Sequence, residues 1–135
     1  QYARKNVNLV TVAPKPPGLT VTVDRLRIAQ VLSNLLSNAL RHTPTRGVVS
    51  MSVRAVGEEI HIIVADDGEG MTPDQLLHAF ERFFRGDSAR DRDRSGSGVG
   101  LTISKAIVDL HGGSLSAASE GPGQGSQFSV TLPLS

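Results

Sequence analysis

Cysteine is absent from the 135-residue sequence. Neither disulfides nor a zinc–thiolate centre can therefore hold the fold, which suits a reducing compartment. An excess of one charge is missing too. Fourteen Lys and Arg stand against thirteen Asp and Glu, for a formal net charge of +1. That balance gives no broad positive field for nucleic acid or an anionic membrane surface. No apolar run approaches the roughly 20 residues that span a bilayer, and no signal-peptide pattern is visible. The chain starts at Gln1 without Met, as expected of a fragment.

What remains fits one domain with one sizeable core. Hydrophobic residues make up 39% and charged residues 20%, an ordinary globular balance. Glycine is more abundant than usual, with 14 residues in 135, or about 10% against ~7%. The glycines cluster, and the clusters matter more than the excess.

The apolar patch Val7 to Val12, followed by Pro14, Pro16, Pro17 and Gly18, predicts a short strand and a turn. Leu19 to Val23 alternates as a second short strand. Asp24 is a good N-cap for a helix from Arg25 to about His42, which Pro44 stops. Val48 to Val56 alternates, with Val49, Met51, Val53 and Ala55 on one face. Gly57-Glu58-Glu59 then turns the chain into an almost continuous apolar strand, Ile60 to Ala65. A helix over Thr72 to Phe84 is followed by residues 85–98, whose composition predicts a mobile loop. Val99 to Leu110 forms the last helix, with Ile103, Ala106, Ile107 and Leu110 facing the core and Gly112 as its cap. Ser114 to Ser119 and Gln127 to Leu132 are two strands joined by a Gly/Pro turn. This order implies a mixed sheet with helices packed on one face.

The first helix carries two faces at about 100° per residue. Ile28, Ala29, Leu32, Leu35, Leu36, Ala39 and Leu40 share the core arc, and Arg27, Gln30, Ser33, Asn34, Ser37, Asn38 and Arg41 the other. A polar arc is ordinarily just solvated. Asn34 and Asn38 set this one apart, because asparagine is a mediocre helix former and residues four apart lie side by side. Amide oxygens are neutral hard ligands, suited to a magnesium ion that keeps waters and binds phosphates.

Two glycine clusters add to this. Asp66-Asp67-Gly68-Glu69-Gly70 ends the apolar strand. A carboxylate there can accept a hydrogen bond from the exocyclic amine of a base, and glycines let backbone approach a flat ring. A turn capped by Asp is the plainer alternative. Gly96-Ser97-Gly98-Val99-Gly100-Leu101 runs straight into a helix, where backbone N–H groups make a phosphate cradle. No Lys-Ser/Thr follows, so it is not a P-loop, and no strand directly precedes it as a dinucleotide fingerprint requires.

Taken in order, these segments resemble the ATP-binding domain of sensor histidine kinases in the GHKL ATPase superfamily. Asp24 to Thr43 looks like the N box, Asp66 to Met71 the first glycine box, Phe80 to Arg85 the F box and Gly96 to Leu101 the second glycine box. Gly123 to Phe128 is similar to the last glycine segment. The resemblance implies an α/β two-layer sandwich of the Bergerat type, its mixed, mostly antiparallel sheet carrying three main helices on one face. It implies ATP and Mg²⁺ as ligands, with Asn38 on the metal and Asn34 supporting it. Arg41 takes the place of a basic residue that contacts phosphate, and His42 that of a Tyr against adenine, a departure from many members. Asp66 would read the adenine amine, Gly68, Gly70 and Met71 would wall the base, and Gly96, Gly98, Val99, Gly100 and Leu101 would frame the triphosphate. Phe80 and Phe83 would anchor the lid or simply pack. Arg82, Arg85 and the lid arginines Arg90, Arg92 and Arg94 are all candidates for the γ-phosphate, or for pairing with Asp87, Asp91 and Asp93 in solvent.

Hydrolysing relatives carry Glu one turn before the metal-binding Asn, where this chain has Asn34, which cannot activate water. Transfer to an imidazole needs mainly positioning and charge neutralisation. Of the four histidines, His61, His78 and His111 read as structural, and no acidic residue follows His42 as in a phosphoacceptor motif. The resemblance thus implies a partner: a helical-hairpin domain bearing the acceptor histidine, with a response regulator downstream. It also implies a monomeric, cytoplasmic domain of a membrane-linked sensor, with neither nucleic acid nor a membrane segment of its own. A serine kinase of the anti-sigma-factor type and a non-catalytic nucleotide-sensing module are the alternatives.

Overall fold

The computed structural model describes residues 8–12, 21, 23–44, 46–81 and 100–134. Five strands form one sheet: β1 (Asn8–Val12), β2 (Val48–Val56), β3 (Glu59–Asp66), β4 (Ser114–Ala118) and β5 (Ser126–Pro133), in the order β1-β2-β3-β5-β4. β1 runs parallel to β2, and every other pair is antiparallel. Among the described residues three helices accompany the sheet: α1 (Arg25–His42), α2 (Pro73–Leu77) and α3 (Gly100–Leu110). This is the α/β two-layer arrangement that the resemblance implies, with a mixed, mostly antiparallel sheet.

α1 forms where its capping chemistry is strong. The Asp24 carboxylate accepts from the N–H groups of Leu26 (3.1 Å) and Arg27 (3.2 Å), satisfying two of the four donors a helix start leaves unpaired. At the other end the buried Thr43 hydroxyl donates to the Ala39 carbonyl at 2.6 Å. Arg41 and His42 occupy the last turn, where positive charge complements the helix dipole. Ile28, Val31, Leu35, Ala39 and Leu40 are buried and meet Val49, Ile62 and Val64 from the sheet and Ile107 and Val108 from α3. Phe128, Val130 and Leu132 of β5, with Ile60 of β3 and Leu115 of β4, complete the core.

Four expectations are corrected. Val21 and Val23 are not in a strand; their backbone is irregular while their side chains pack against the core, so burial rather than pairing explains their alternation. Residues 19, 20 and 22 lie outside the described residues. α2 stops at Leu77 instead of Phe84. A Thr72–Gln75 capping box starts it, but His78 leaves helical geometry at φ −105° and ψ 14°, and 78–80 are turns. On α3 the buried residues are Ser104, Ile107 and Val108, whereas Ile103, Ala106 and Leu110 are exposed. The helix is rotated because Ser104 faces α1 and accepts a hydrogen bond from Asn34 at 3.1 Å. Ala29 is exposed for the matching reason: the core arc of α1 centres on Val31 and Leu35, both fully buried.

Leu35 sits at the centre of this packing. Leu35→Ala should lower unfolding free energy by roughly 3 kcal/mol, the usual cost of such a cavity, read as a lower urea midpoint with unchanged m-value. A loss below about 1 kcal/mol would show that α1 does not form the core as described.

Candidate functional site along α1

α1 is the common wall of the site. Near its middle, the Asn34 amide nitrogen donates to the Gly100 carbonyl (3.3 Å) and the Ser104 hydroxyl (3.1 Å). This ties the helix to the start of α3. A side-chain amide committed through its nitrogen keeps its oxygen available as an acceptor. Asn38 lies one turn further along and is half-buried, and no described residue hydrogen-bonds its amide. Arg41 follows, exposed overall, with burial of its guanidinium lowering its pKa.

The last turn of α1 receives the loop after β3. The Glu69 N–H donates to the His42 carbonyl at 2.9 Å, one of the carbonyls a helix end leaves open. A Cβ on Gly68 would meet that same carbonyl oxygen at 2.0 Å, so only glycine allows the approach. The Asp67 carboxylate caps the start of β2 by accepting from the Val48 N–H at 2.8 Å. His42 is oriented by its own neighbour, its Nδ1 lying 2.7 Å from the Glu69 carboxylate.

Asp66 stands at the end of β3 beside this junction. Burial raises its carboxyl above the ordinary carboxylate value. The Gly68 N–H, which donates at 2.9 Å, the His42 charge and the Ser126 N–H oppose that rise. A partly desolvated carboxylate held by backbone donors is a strong hydrogen-bond acceptor with a fixed direction.

Of the residues singled out in the sequence, Asn34, Gly100 and Leu101 come together at the α1–α3 contact, with Leu101 packed on the core. His42, Asp66 and Gly68 come together at the α1–β3 junction. Gly70, at φ +69°, and Met71 continue that junction toward the β4–β5 turn. Arg82, Phe83, Arg85, Gly96, Gly98 and Val99, and the lid arginines, lie outside the described residues. Phe80 packs edge-on against Phe128, with ring centroids 6.0 Å apart. Its carbonyl accepts from the Thr102 hydroxyl at 2.9 Å. The three histidines read as structural are locally engaged. His61 lies 3.4 Å from Glu59, and His78 contacts Asp74 and Glu81. His111 Nδ1 donates to the Ile107 carbonyl while its Nε2 accepts from the Asp24 N–H. Sequence reasoning missed Glu69, Ser104 and Ser119. Their motif neighbours drew attention, but a partner across the fold leaves no local signal.

The sequence profile of histidine kinase-, DNA gyrase B- and HSP90-like ATPases matches residues 23–135. The chain belongs to this family. Within it, the ATPase domain is 40% identical over 133 residues to the sensor-like histidine kinase SenX3 of Mycobacterium tuberculosis, covering 98% of the chain and 32% of that protein. It thus spans about a third of that curated relative's length. Among solved structures, the mycobacterial sensor histidine kinase MprB superposes with a TM-score of 0.82 at 26% identity, covering 98% of this chain and 86% of that one. Full-length ShkA in complex with AMPPNP gives a TM-score of 0.82 at 28% identity, covering 98% and 27%. The domain is therefore of the ATP-binding type found in two-component sensor histidine kinases. Among the described residues, no helix is long and apolar enough to cross a membrane.

The raised Asp66 pKa makes a stability prediction. Ionising this carboxyl costs the folded ATPase domain more than the unfolded chain. The cost is absent below the ordinary carboxylate pKa and fully present once pH has risen through Asp66's raised value. Asp66→Asn removes it. The urea midpoint of the variant relative to the unmutated, ligand-free domain should therefore increase between about pH 3 and about pH 7. Parallel pH profiles would show that Asp66 is not desolvated.

Proposed function

We propose that the domain binds Mg-ATP and donates the γ-phosphate to a histidine on a separate helical domain, in two-component signal transduction. The observation that carries this reading is the double attachment of α1: Asn34 to the N-terminus of α3, and His42 to the Asp66–Gly70 loop. The stretch from Asn34 to His42 extends about 12 Å at ~1.5 Å per residue, the scale of an extended nucleotide. Adenine would lie by Asp66, Gly68, Gly70, Met71 and His42, and the phosphates by Asn38, Arg41 and the first turn of α3.

The donor set fits magnesium. Asn38 offers a half-buried amide oxygen that no described residue engages, and Asn34 stands beside it. Magnesium prefers few protein oxygens, filling its remaining positions with water and phosphate. When bound, the ion would neutralise phosphate charge. Asp66 accepts the adenine amine. Arg41 supplies positive charge toward the phosphates, and Arg82, Arg85 and the lid arginines are the candidates for the γ-phosphate. In the transfer step a neutral imidazole of the partner domain attacks the γ-phosphorus. The N–P bond forms as the bond to the bridging β–γ oxygen breaks, and ADP leaves. Asn34 supplies no general base, so water one turn from Asn38 is not activated. A response regulator would receive the phosphate afterwards. The AMPPNP complex of ShkA supports a nucleotide as the ligand of such a pocket.

Two measurements test this. Titration calorimetry should show ATP binding strengthened by Mg²⁺, with Asn38→Ala weakening Mg-ATP binding at least about tenfold, or ~1.4 kcal/mol. Unchanged affinity would remove Asn38 from the metal site. With radiolabelled ATP, the chain alone should form no acid-labile phosphohistidine but should transfer label to an added helical-hairpin acceptor domain. Label on the chain itself would contradict the division of roles.

A further inference from the structure

The turn between β4 and β5 meets the Asp66–Gly70 loop almost entirely through backbone. The Gly123 N–H donates to the Glu69 carbonyl at 2.6 Å, and the Gly125 N–H to the Gly68 carbonyl at 3.2 Å. Added Cβ atoms would meet backbone oxygens at 2.1 Å in two places, Gly70 against Gly121 and Gly125 against Asp66. One side chain sits at the centre of this contact. The Ser119 hydroxyl oxygen accepts from the N–H groups of Met71 (3.0 Å) and Gly121 (3.2 Å). Its proton has two carbonyls in reach, Gly125 at 2.7 Å and Gly121 at 3.3 Å. A hydroxyl has one proton and two lone pairs, so the shorter bond to Gly125 takes the proton and both lone pairs are in use. No capacity is left over.

The Gly125 carbonyl and the Ser126 N–H belong to one planar peptide unit, so holding one end fixes the direction of the other. Ser126 is the register partner of Asp66 across β3 and β5, and its N–H lies close enough to the Asp66 carboxylate to favour the ionised form. The backbone N–H hydrogen-bonded to that carboxylate, Gly68 at 2.9 Å, belongs to the loop whose following residue, Met71, is tied to Ser119.

We propose that Ser119 is a positioning residue for adenine recognition: its hydroxyl fixes the Gly125–Ser126 peptide and the Gly68–Met71 loop, and through them aims the Asp66 carboxylate at the base. It touches no nucleotide atom in this reading. Removing the hydroxyl frees the peptide to tilt and lets the carboxylate drift from the line of the exocyclic amine. The loss falls on discrimination between an amine and a carbonyl at that position of the purine.

This inference rests on the nucleotide-binding reading, and its test separates the two. Calorimetry on the whole chain, with Mg²⁺, compares ATP with inosine triphosphate, which has a carbonyl in place of the amine. The unmutated chain should prefer ATP. Ser119→Ala should cut that preference about tenfold, mostly through weaker ATP binding, and Ser119→Thr should restore it. An unmutated chain that binds neither nucleotide would refute the nucleotide reading itself. Normal ATP preference in Ser119→Ala would overturn the role of Ser119 alone, as would proportional losses for both nucleotides, the mark of a purely structural residue. If Ser119→Ala does not fold, nuclear magnetic resonance on the unmutated chain decides. The Ser126 amide resonance should move as Asp66 is protonated, and a Ser126 amide indifferent to that titration overturns the proposal.

Discussion

The hydrogen bond from the Glu69 N–H to the His42 carbonyl sets where the Asp66–Gly70 loop lies relative to the face of α1 that carries Asn34 and Asn38. A helix end leaves its last carbonyls without internal partners, and each must find a donor or face water. Here the loop after β3 supplies a donor, and so attaches one wall of the candidate site to the end of another. The contact is backbone on backbone, which excludes any side chain at Gly68. The same constraint recurs at Gly70 and Gly125. These glycines act by what they lack, and they place Asp66 at a fixed distance from the helix.

At the opposite end of the pocket the attachment is made by a side chain. Asn34 bridges to Gly100 and Ser104, and the buried Ser104 receives a partner it could not have found in an apolar core. One asparagine therefore sets the rotation of α3, and in the proposed function the same residue offers a neutral amide that cannot activate water. Asp66 shows the reverse balance. Its burial works against the ionised form that the proposed adenine contact would use, with two backbone N–H groups and His42 opposing the rise. Functional sites often hold a group that a purely stability-driven sequence would replace.

Much of the fold is legible in the sequence. α1 is long, has an Asp cap and an interrupting Pro, and repeats its apolar positions, so its bounds follow from local chemistry alone. β2 and β3 alternate cleanly around a glycine turn. The departures come where tertiary contacts override pattern. On α3 nearly every position outside its polar residues is apolar, so periodicity could not say which side is buried, and the hydrogen bond to Ser104 decided it. Val21 and Val23 alternate because they cover the core, not because they pair. The motif residues Asn34, His42, Asp66 and Gly68 were visible as types and spacings. Their partners Ser104 and Glu69 were not, nor was Ser119, which receives the Met71 N–H, because each contact joins elements far apart in the chain and carries no signature at either end.

A crystal structure of the chain with Mg²⁺ and a non-hydrolysable ATP analogue tests the convergence of these elements most directly. The account predicts the exocyclic amine of the base within hydrogen-bond distance of the Asp66 carboxylate, the ion on the Asn38 amide oxygen, and the phosphates at the first turn of α3. A nucleotide bound away from α1, or one whose base faces α3 while its phosphates face Asp66, would contradict it.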